Sequence, residues 1–191
     1  MTYYRAEDLR LYASGVTASA AQSELSRITK SASGNFDVFL SHSFQDAVLV
    51  LGLKKLLERE ALSVFVGWIE DTALDRASVS AATAARLRQR MKSCRSLVYA
   101  TSRNASSSRW MPWELGYFDG THGESKVAIS PIATGATGTY VGEEYLGLYK
   151  TLEQVRSAGS LRPYVMKPSR AEAENVRSFV LGRGAFERIT V

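Results

Sequence analysis

Polar and aromatic side chains suited to chemistry gather in three segments, each directly after a short apolar run. The first segment covers residues 41–46 and precedes a helical pattern. Free backbone N–H groups and the helix dipole at such a helix start favour an anion such as a pyrophosphate. An alternative is that Ser43 only caps the helix, with Asp46 completing an acidic variant of a capping box. The residues of this segment expected to bind a ligand are Ser41, His42, Ser43 and Phe44.

The second segment, residues 67–76, places a large aromatic side chain and several charges past the next apolar run. Trp68 has a flat face on which an aromatic ring of a ligand could stack. A tryptophan at the end of a strand also packs in hydrophobic cores, so both interpretations stay open. Asp71 and Arg76 are further candidates for ligand contacts.

The third segment, residues 106–120, contains Glu114, whose carboxylate could take part in catalysis. Pro112 suits the first position of a helix, which puts Glu114 at the third. There the helix dipole stabilises a carboxylate and keeps it ionised at neutral pH. Glu114 is therefore a candidate catalytic group and Trp110 a candidate ligand contact. The alternatives are that Glu114 only stabilises the helix and that Trp110 only packs the loop on the core.

Five short runs of β-forming residues alternate with helical patterns. Strands are predicted at residues 36–40, 62–66, 96–100, 126–132 and 145–149. The alternation predicts a doubly wound α/β fold with a parallel sheet, in which the runs 36–40 and 96–100 are central. Because ligands bind beyond the carboxyl ends of such strands, all three polar segments should lie at one edge of the sheet.

The 191 residues allow one domain with appended segments. We expect an N-terminal helical extension over residues 1–34, a central domain over residues 35–155 and a C-terminal helical segment over residues 156–191. In the last segment, Ser169 and Glu172 form a capping-box pair that opens a helix, and Gly182 ends it. This helix should pack on the sheet.

Composition argues against several classes of function. The single cysteine, Cys94, cannot form an internal disulfide or a cysteine-rich zinc cage, and no metal site is expected. The lysines and arginines behind the net charge of +5 are scattered, which disfavours nucleic-acid binding. Since the N-terminus is charged and lacks a continuous apolar stretch, neither a signal peptide nor a membrane span is expected, and we predict a cytoplasmic protein.

Two stretches resemble signature segments of the Toll/interleukin-receptor (TIR) domain family. FDVFLSHSFQD is similar to the family's first strand and loop, and SSSRWMPWEL to its serine–x–tryptophan–xxx–glutamate signature. The stretch from SVFVGWIED to RMKSCRSLVYATS has the family's order of second strand, variable loop, second helix and third strand. The resemblance covers residues 36–149. It implies a flavodoxin-like sheet of five parallel strands, the TIR fold, with extra N- and C-terminal helices.

The resemblance further implies an enzyme that cleaves NAD to nicotinamide and ADP-ribose or a cyclic isomer of ADP-ribose. The essential glutamate of enzymatic TIR domains matches Glu114. NAD would be the substrate, with no cofactor bound permanently. Met111 departs from the cysteine that enzymatic relatives often carry there. Because adaptor-type TIR domains generally lack the glutamate, Glu114 favours an enzyme over a non-catalytic adaptor. A secreted effector that mimics host TIR domains is the other alternative, and the expected lack of a secretion signal leaves it unsupported.

Small bacterial TIR proteins of this type resemble components of anti-phage systems, including Thoeris-like ones. The resemblance implies self-association through a loop at residues 71–79, which would help complete the active site of a neighbouring subunit. Further implied partners are a phage-derived activator and a downstream effector that senses the product. No membrane partner is expected.

Overall fold

The fold is given by a computed structural model that describes residues 2–31, 33–67, 81–133, 143–157 and 159–188. The strands within these residues are β1 (Tyr4–Arg5), β2 (Phe36–Ser41), β3 (Val64–Val66), β4 (Cys94–Thr101), β5 (Val127–Ala133), β6 (Lys150–Ser157), β7 (Ser160–Met166), β8 (Glu172–Asn175) and β9 (Glu187–Arg188). The α-helices are α1 (Ala6–Tyr12), α2 (Ala18–Ser31), α3 (Ala47–Arg59), α4 (Ala81–Lys92), α5 (Trp110–His122) and α6 (Val176–Leu181).

A parallel sheet forms the centre of the fold, with the strand order β3-β2-β4-β5-β6. The predicted doubly wound, flavodoxin-like arrangement is confirmed by this order. Ser41 at the end of β2 pairs in register with Tyr99 near the end of β4. The segments that follow these two strands therefore leave the sheet at the same edge.

Helices cover both faces of the sheet. Along β2, Val38 and Leu40 enter an apolar cluster with α1, α2, α3 and α6, whereas Phe39 enters a second cluster with α4 and α5. This alternation follows from the pleat, because successive side chains of a strand point to opposite faces. Each side of the sheet is thus a separate layer of core.

The start of the chain is part of the sheet. Tyr4 and Arg5 of β1 pair in parallel with Ile132 and Ala133 at the end of β5. Thr2 bridges Gln154 of β6 through two backbone hydrogen bonds of 3.1 and 2.9 Å. The strand β1 thus pairs with the upper part of β5, while β6 pairs with Ala128 and Ile129 near its start.

The prediction for the fifth strand was wrong in position. Residues 144–148 form a 3₁₀ helix, and the fifth parallel strand is the following segment, β6. Within the predicted run 145–149, only Leu146 is buried, while Tyr145 and Leu148 remain exposed. One buried side chain among these residues cannot form the inward face of a buried strand.

The C-terminal segment contains more strand than predicted. Glu172 belongs to β8 rather than to the first turn of a helix, so the proposed capping box with Ser169 does not form there. The helix α6 starts later, with Asn175 as N-cap accepting a hydrogen bond of 2.9 Å from the N–H of Arg177. It ends at Gly182, as predicted, in the left-handed conformation with φ of 63°.

The strands β7, β8 and β9 extend the sheet antiparallel beyond β6.

In the described ranges, no helix has the length and apolar character needed to cross a membrane.

Candidate functional site

A hydrogen bond joins the end of β2 to the helix α5. The hydroxyl of Ser41 donates to Oε2 of Glu114 at 2.5 Å, and the two residues are 1% and 5% exposed. Ser41 comes directly from the parallel sheet, while Glu114 comes from the helix that follows β4. The carboxylate therefore lies at the carboxyl edge of the strands, where ligands of this fold class bind.

The helix α5 begins two residues earlier than the sequence predicted. Its first residue is Trp110, so Pro112 stands third and Glu114 fifth. The hydroxyl of Ser108 accepts the N–H of Met111 at 3.4 Å and satisfies one free donor of the first turn. Glu114 therefore lies beyond the first turn, where the helix dipole has little effect. Neither the interpretation that it only stabilises the helix start nor the expectation that the dipole keeps it ionised fits this position.

The other candidates of the first segment lie beside Ser41. His42 is buried, and its Nδ1 lies 3.0 Å from the carbonyl oxygen of Leu40, which requires the proton to be on that nitrogen. Ser43 is buried and accepts the N–H of Gln45 at 3.4 Å as N-cap of the 3₁₀ helix Phe44–Asp46. Phe44 is 38% exposed.

The carboxylate of Asp46 makes a contact that sequence reasoning missed. Its Oδ2 accepts the hydroxyl of Ser102 at 2.5 Å, and its Oδ1 accepts the side-chain amide of Asn104 at 2.7 Å. The predicted capping box with Ser43 is therefore not formed by this side chain, which reaches across to the segment after β4. Local spacing held no signal for this contact, because its partners are more than fifty residues away.

Aromatic rings cover the start of α5. The half-buried Trp110 meets Trp113 edge-on at a centroid distance of 5.4 Å, and Trp113 stacks on Tyr117 at 5.7 Å. The guanidinium of Arg88 in α4 lies 5.3 Å from the centroid of Trp113. Trp110 packs against the second apolar cluster, as one of the two interpretations of this residue expected.

Several candidates lie outside the described residues. They are Trp68, Asp71, Arg76 and the whole loop at residues 71–79. Within the described ranges, no group of three histidine, cysteine, aspartate or glutamate side chains could hold a metal ion. The described part of the site can therefore offer a substrate the buried carboxylate of Glu114, which accepts a hydrogen bond from the hydroxyl of Ser41.

Comparison with known proteins gives relatives of part of the chain. No family model matches it. Over 115 residues it is 56% identical to "Probable 3' cyclic ADP-D-ribose synthase ThsB'" of Bacillus cereus (strain MSX-D12), a match covering 60% of this chain and 58% of that protein. Over 83 residues it is 30% identical to "Putative cyclic ADP-D-ribose synthase TIR2" of Cytobacillus dafuensis, covering 43% of this chain and 22% of that protein. The chain thus spans little more than half of the first relative and less than a quarter of the second.

Proposed function

We propose that this chain, which is similar to ThsB' and TIR2 over part of its length, is a TIR-domain enzyme that breaks the bond between nicotinamide and ribose in NAD with Glu114 as its essential carboxylate. The observation that carries the proposal is the hydrogen bond from Ser41 to Glu114 at the carboxyl edge of the parallel sheet. The names of both relatives support a cyclic product. Whether the nucleophile is water or a group of the same NAD molecule decides between ADP-ribose and its cyclic isomer.

One carboxylate is sufficient for this reaction. The electron pair of the breaking C–N bond goes to the nicotinamide nitrogen, so a positively charged pyridinium leaves as a neutral ring and needs no general acid. Positive charge then develops on the ribosyl carbon, and an ionised Glu114 would stabilise it. The hydroxyl of Ser41 would fix the direction of the carboxylate, because a charged hydrogen-bond acceptor holds a donor strongly.

The neighbours of Glu114 are proposed to hold the substrate. Ser43 and the turn that it caps would bind the pyrophosphate through hydroxyl and backbone N–H groups. His42, Phe44 and Trp110 would contact the rest of the dinucleotide, and Trp68, Asp71 and Arg76 are proposed contacts from the loop after β3.

The partners follow from the same family relationship. We propose that subunits associate head to tail through the loop at residues 71–79, so that one subunit helps complete the site of the next. A role in anti-phage defence, with a phage-derived activator and an effector that senses the product, is proposed on the similarity to ThsB'. A cytoplasmic location fits this role.

Replacing Glu114 by glutamine tests the proposed chemistry. The Glu114→Gln variant keeps the size of the side chain and loses its charge, so we expect kcat for nicotinamide release to fall roughly 100- to 1,000-fold. Mass spectrometry of the products would identify ADP-ribose or a cyclic isomer. The matched control is Glu124→Gln, which alters an exposed glutamate in a 3₁₀ helix and should leave turnover unchanged.

Two results would contradict the proposal. Wild-type turnover by Glu114→Gln would remove the role of this carboxylate. A folded wild-type protein that releases no nicotinamide at any concentration, with or without infected-cell extract, would instead favour the non-catalytic adaptor.

A further inference from the structure

We propose that Asp46 is a positioning residue, which fixes the segment between β4 and α5 so that Glu114 meets Ser41 in the reactive arrangement. This inference rests on the proposed function and adds a residue that the proposed chemistry does not use. The hydrogen bonds of Asp46 connect the segment after β2 to the segment after β4 a second time, apart from the hydrogen bond between Ser41 and Glu114.

Both carboxylate oxygens of Asp46 accept hydrogen bonds from the segment after β4. The carboxylate is 4% exposed, and each of its oxygens accepts one hydrogen bond, from Ser102 at 2.5 Å and from Asn104 at 2.7 Å. The backbone N–H of Asn104 in turn donates to the hydroxyl of Ser102 at 3.0 Å. With both oxygens occupied and almost no exposed surface, Asp46 is not arranged to act as a second catalytic acid.

A chain of local hydrogen bonds leads from Ser102 to α5. The N–H of Ala105 donates to the carbonyl of Ser102 at 3.1 Å, and the N–H of Ser108 donates to the carbonyl of Ala105 at 3.0 Å. The hydroxyl of Ser108 then accepts the N–H of Met111 in the first turn of α5. A shift of Ser102 would therefore be transmitted to the start of the helix that carries Glu114.

The carboxylate does not serve the helix that begins next to it. Asp46 occupies the N-cap position of α3, yet its side chain makes no capping hydrogen bond there. Removing the carboxylate therefore takes no cap from α3. Its effect should appear in the segment after β4, on which its hydrogen bonds act.

The matched control is another serine–aspartate pair, at the opposite end of β2. Ser63, just before β3, donates its hydroxyl to Oδ2 of Asp37 at 2.7 Å, near the start of β2. Ser63→Ala and Ser102→Ala therefore each remove one hydroxyl that donates to an aspartate. The two contacts lie at opposite ends of the sheet, and they also differ in burial, since the contact of Ser63 is exposed and that of Ser102 is buried.

The experiment compares kcat and KM for NAD, the thermal midpoint, and hydrogen–deuterium exchange over residues 101–114 in these variants. We expect Ser102→Ala to lower kcat about ten-fold or more, since it removes a hydrogen bond to a charged group. KM should stay within about three-fold, and exchange over residues 101–114 should become faster. Ser63→Ala should leave kcat and this exchange unchanged.

Variants of Asp46 add two further readouts. Asp46→Asn should recover part of the kcat lost in Asp46→Ala, because the amide oxygen still accepts one of the two hydrogen bonds. The double variant Asp46→Ala with Ser102→Ala should be no slower than Asp46→Ala alone, because both changes break the same contact. If Asp46→Ala does not fold, Ser102→Ala still decides the question.

Different results would contradict the positioning role of Asp46 and the proposed function. Equal kcat in Ser102→Ala and Ser63→Ala would overturn the role of Asp46, whatever happens to the thermal midpoint. Unchanged exchange over residues 101–114 in Ser102→Ala would overturn it as well, even in a preparation without turnover. Absence of NAD cleavage in the wild type would overturn the proposed function and the positioning role with it, and faster exchange would then report only a structural contact.

Discussion

The phenol of Tyr149 connects the segment before β6 to α5. Its hydroxyl donates to Oδ2 of Asp119 at 2.8 Å. Burial, followed by this hydrogen bond and the negative charge of Asp119, raises the pKa of Tyr149 from 10.0 to about 12. The folded protein therefore holds this proton more tightly than the unfolded chain does.

This shift predicts how stability changes at alkaline pH. A raised pKa in the folded state contributes stability that is complete below pH 10 and is lost as pH rises towards 12. Tyr149→Phe has no proton to lose, so its thermal midpoint should start below that of the wild type and approach it across this range. Thermal melts of both proteins at a series of pH values measure the difference, and a gap that stays constant would contradict the prediction.

The position of the site could be predicted from the sequence, but the hydrogen-bond partners of its side chains could not. Strand order was enough to predict that the segments after β2 and β4 meet. That Ser41 binds a ligand stays a prediction, whereas the donation of its proton to Glu114 was not predicted. Asp46 was assigned to a local cap, whereas its partners are Ser102 and Asn104. A hydroxyl or carboxylate takes whichever partner the folded chain brings within reach, and sequence spacing carries no information on that choice.

Two helices approach each other closely at a glycine. A Cβ added at Gly52 of α3 would lie 2.0 Å from the carbonyl oxygen of Leu9 in α1. Backbone atoms cannot move aside as the end of a flexible side chain can. Only glycine allows the two helices this separation.

Gly52→Ala is therefore expected to destabilise the protein. Overpacking of this kind costs about 1–3 kcal/mol, more than the roughly 1 kcal/mol that alanine gains over glycine in a helix. Gly120→Ala in α5 is the control, because a Cβ there meets nothing within 4 Å and the helix gain should appear alone. Urea unfolding gives both free energies; equal values for the two variants would show that α1 can shift away from α3.

The predicted and observed elements differ where polar residues are buried. The segment KTLEQVRS was not predicted as a strand because it is charged, yet it forms β6. Its Glu153 is fully buried because Arg170 and Thr151 bind the carboxylate at 2.6 and 2.8 Å. The apolar strands β2, β3, β4 and β5 were predicted because hydrophobicity alone marks buried parallel strands. A buried carboxylate paired with a half-exposed arginine cannot be recognised from hydrophobicity.

The first residues of the chain contribute to the core of the whole molecule. Tyr4 and Leu9, within the predicted N-terminal helical extension over residues 1–34, are fully buried in the same apolar cluster as the central strands. The boundaries of the predicted domains stay a prediction. The packing makes the N-terminal residues energetically part of the fold.

Two leucines of α1 offer a matched test of this conclusion. Leu9 is 0% exposed and Leu11 is 78% exposed. We expect Leu9→Ala to cost about 2–5 kcal/mol of unfolding free energy, and Leu11→Ala to stay within about 0.5 kcal/mol of the wild type. Denaturant titration measures both. A loss below about 1 kcal/mol for Leu9→Ala would mean that the N-terminal segment is separable after all.

The pairing of β1 with β5 also sets an order of events during synthesis. Tyr4 leaves the ribosome more than 120 residues before its partner Ile132, and Thr2 leaves even further ahead of Gln154, to which it bridges. Contacts so distant in sequence form slowly, whereas α1 and α3 can meet much sooner. Until β1 docks, the end of β5 presents an unpaired strand edge of the kind on which nascent chains aggregate. We therefore expect docking of β1 to be a late step, in which a holdase chaperone has the most effect on yield.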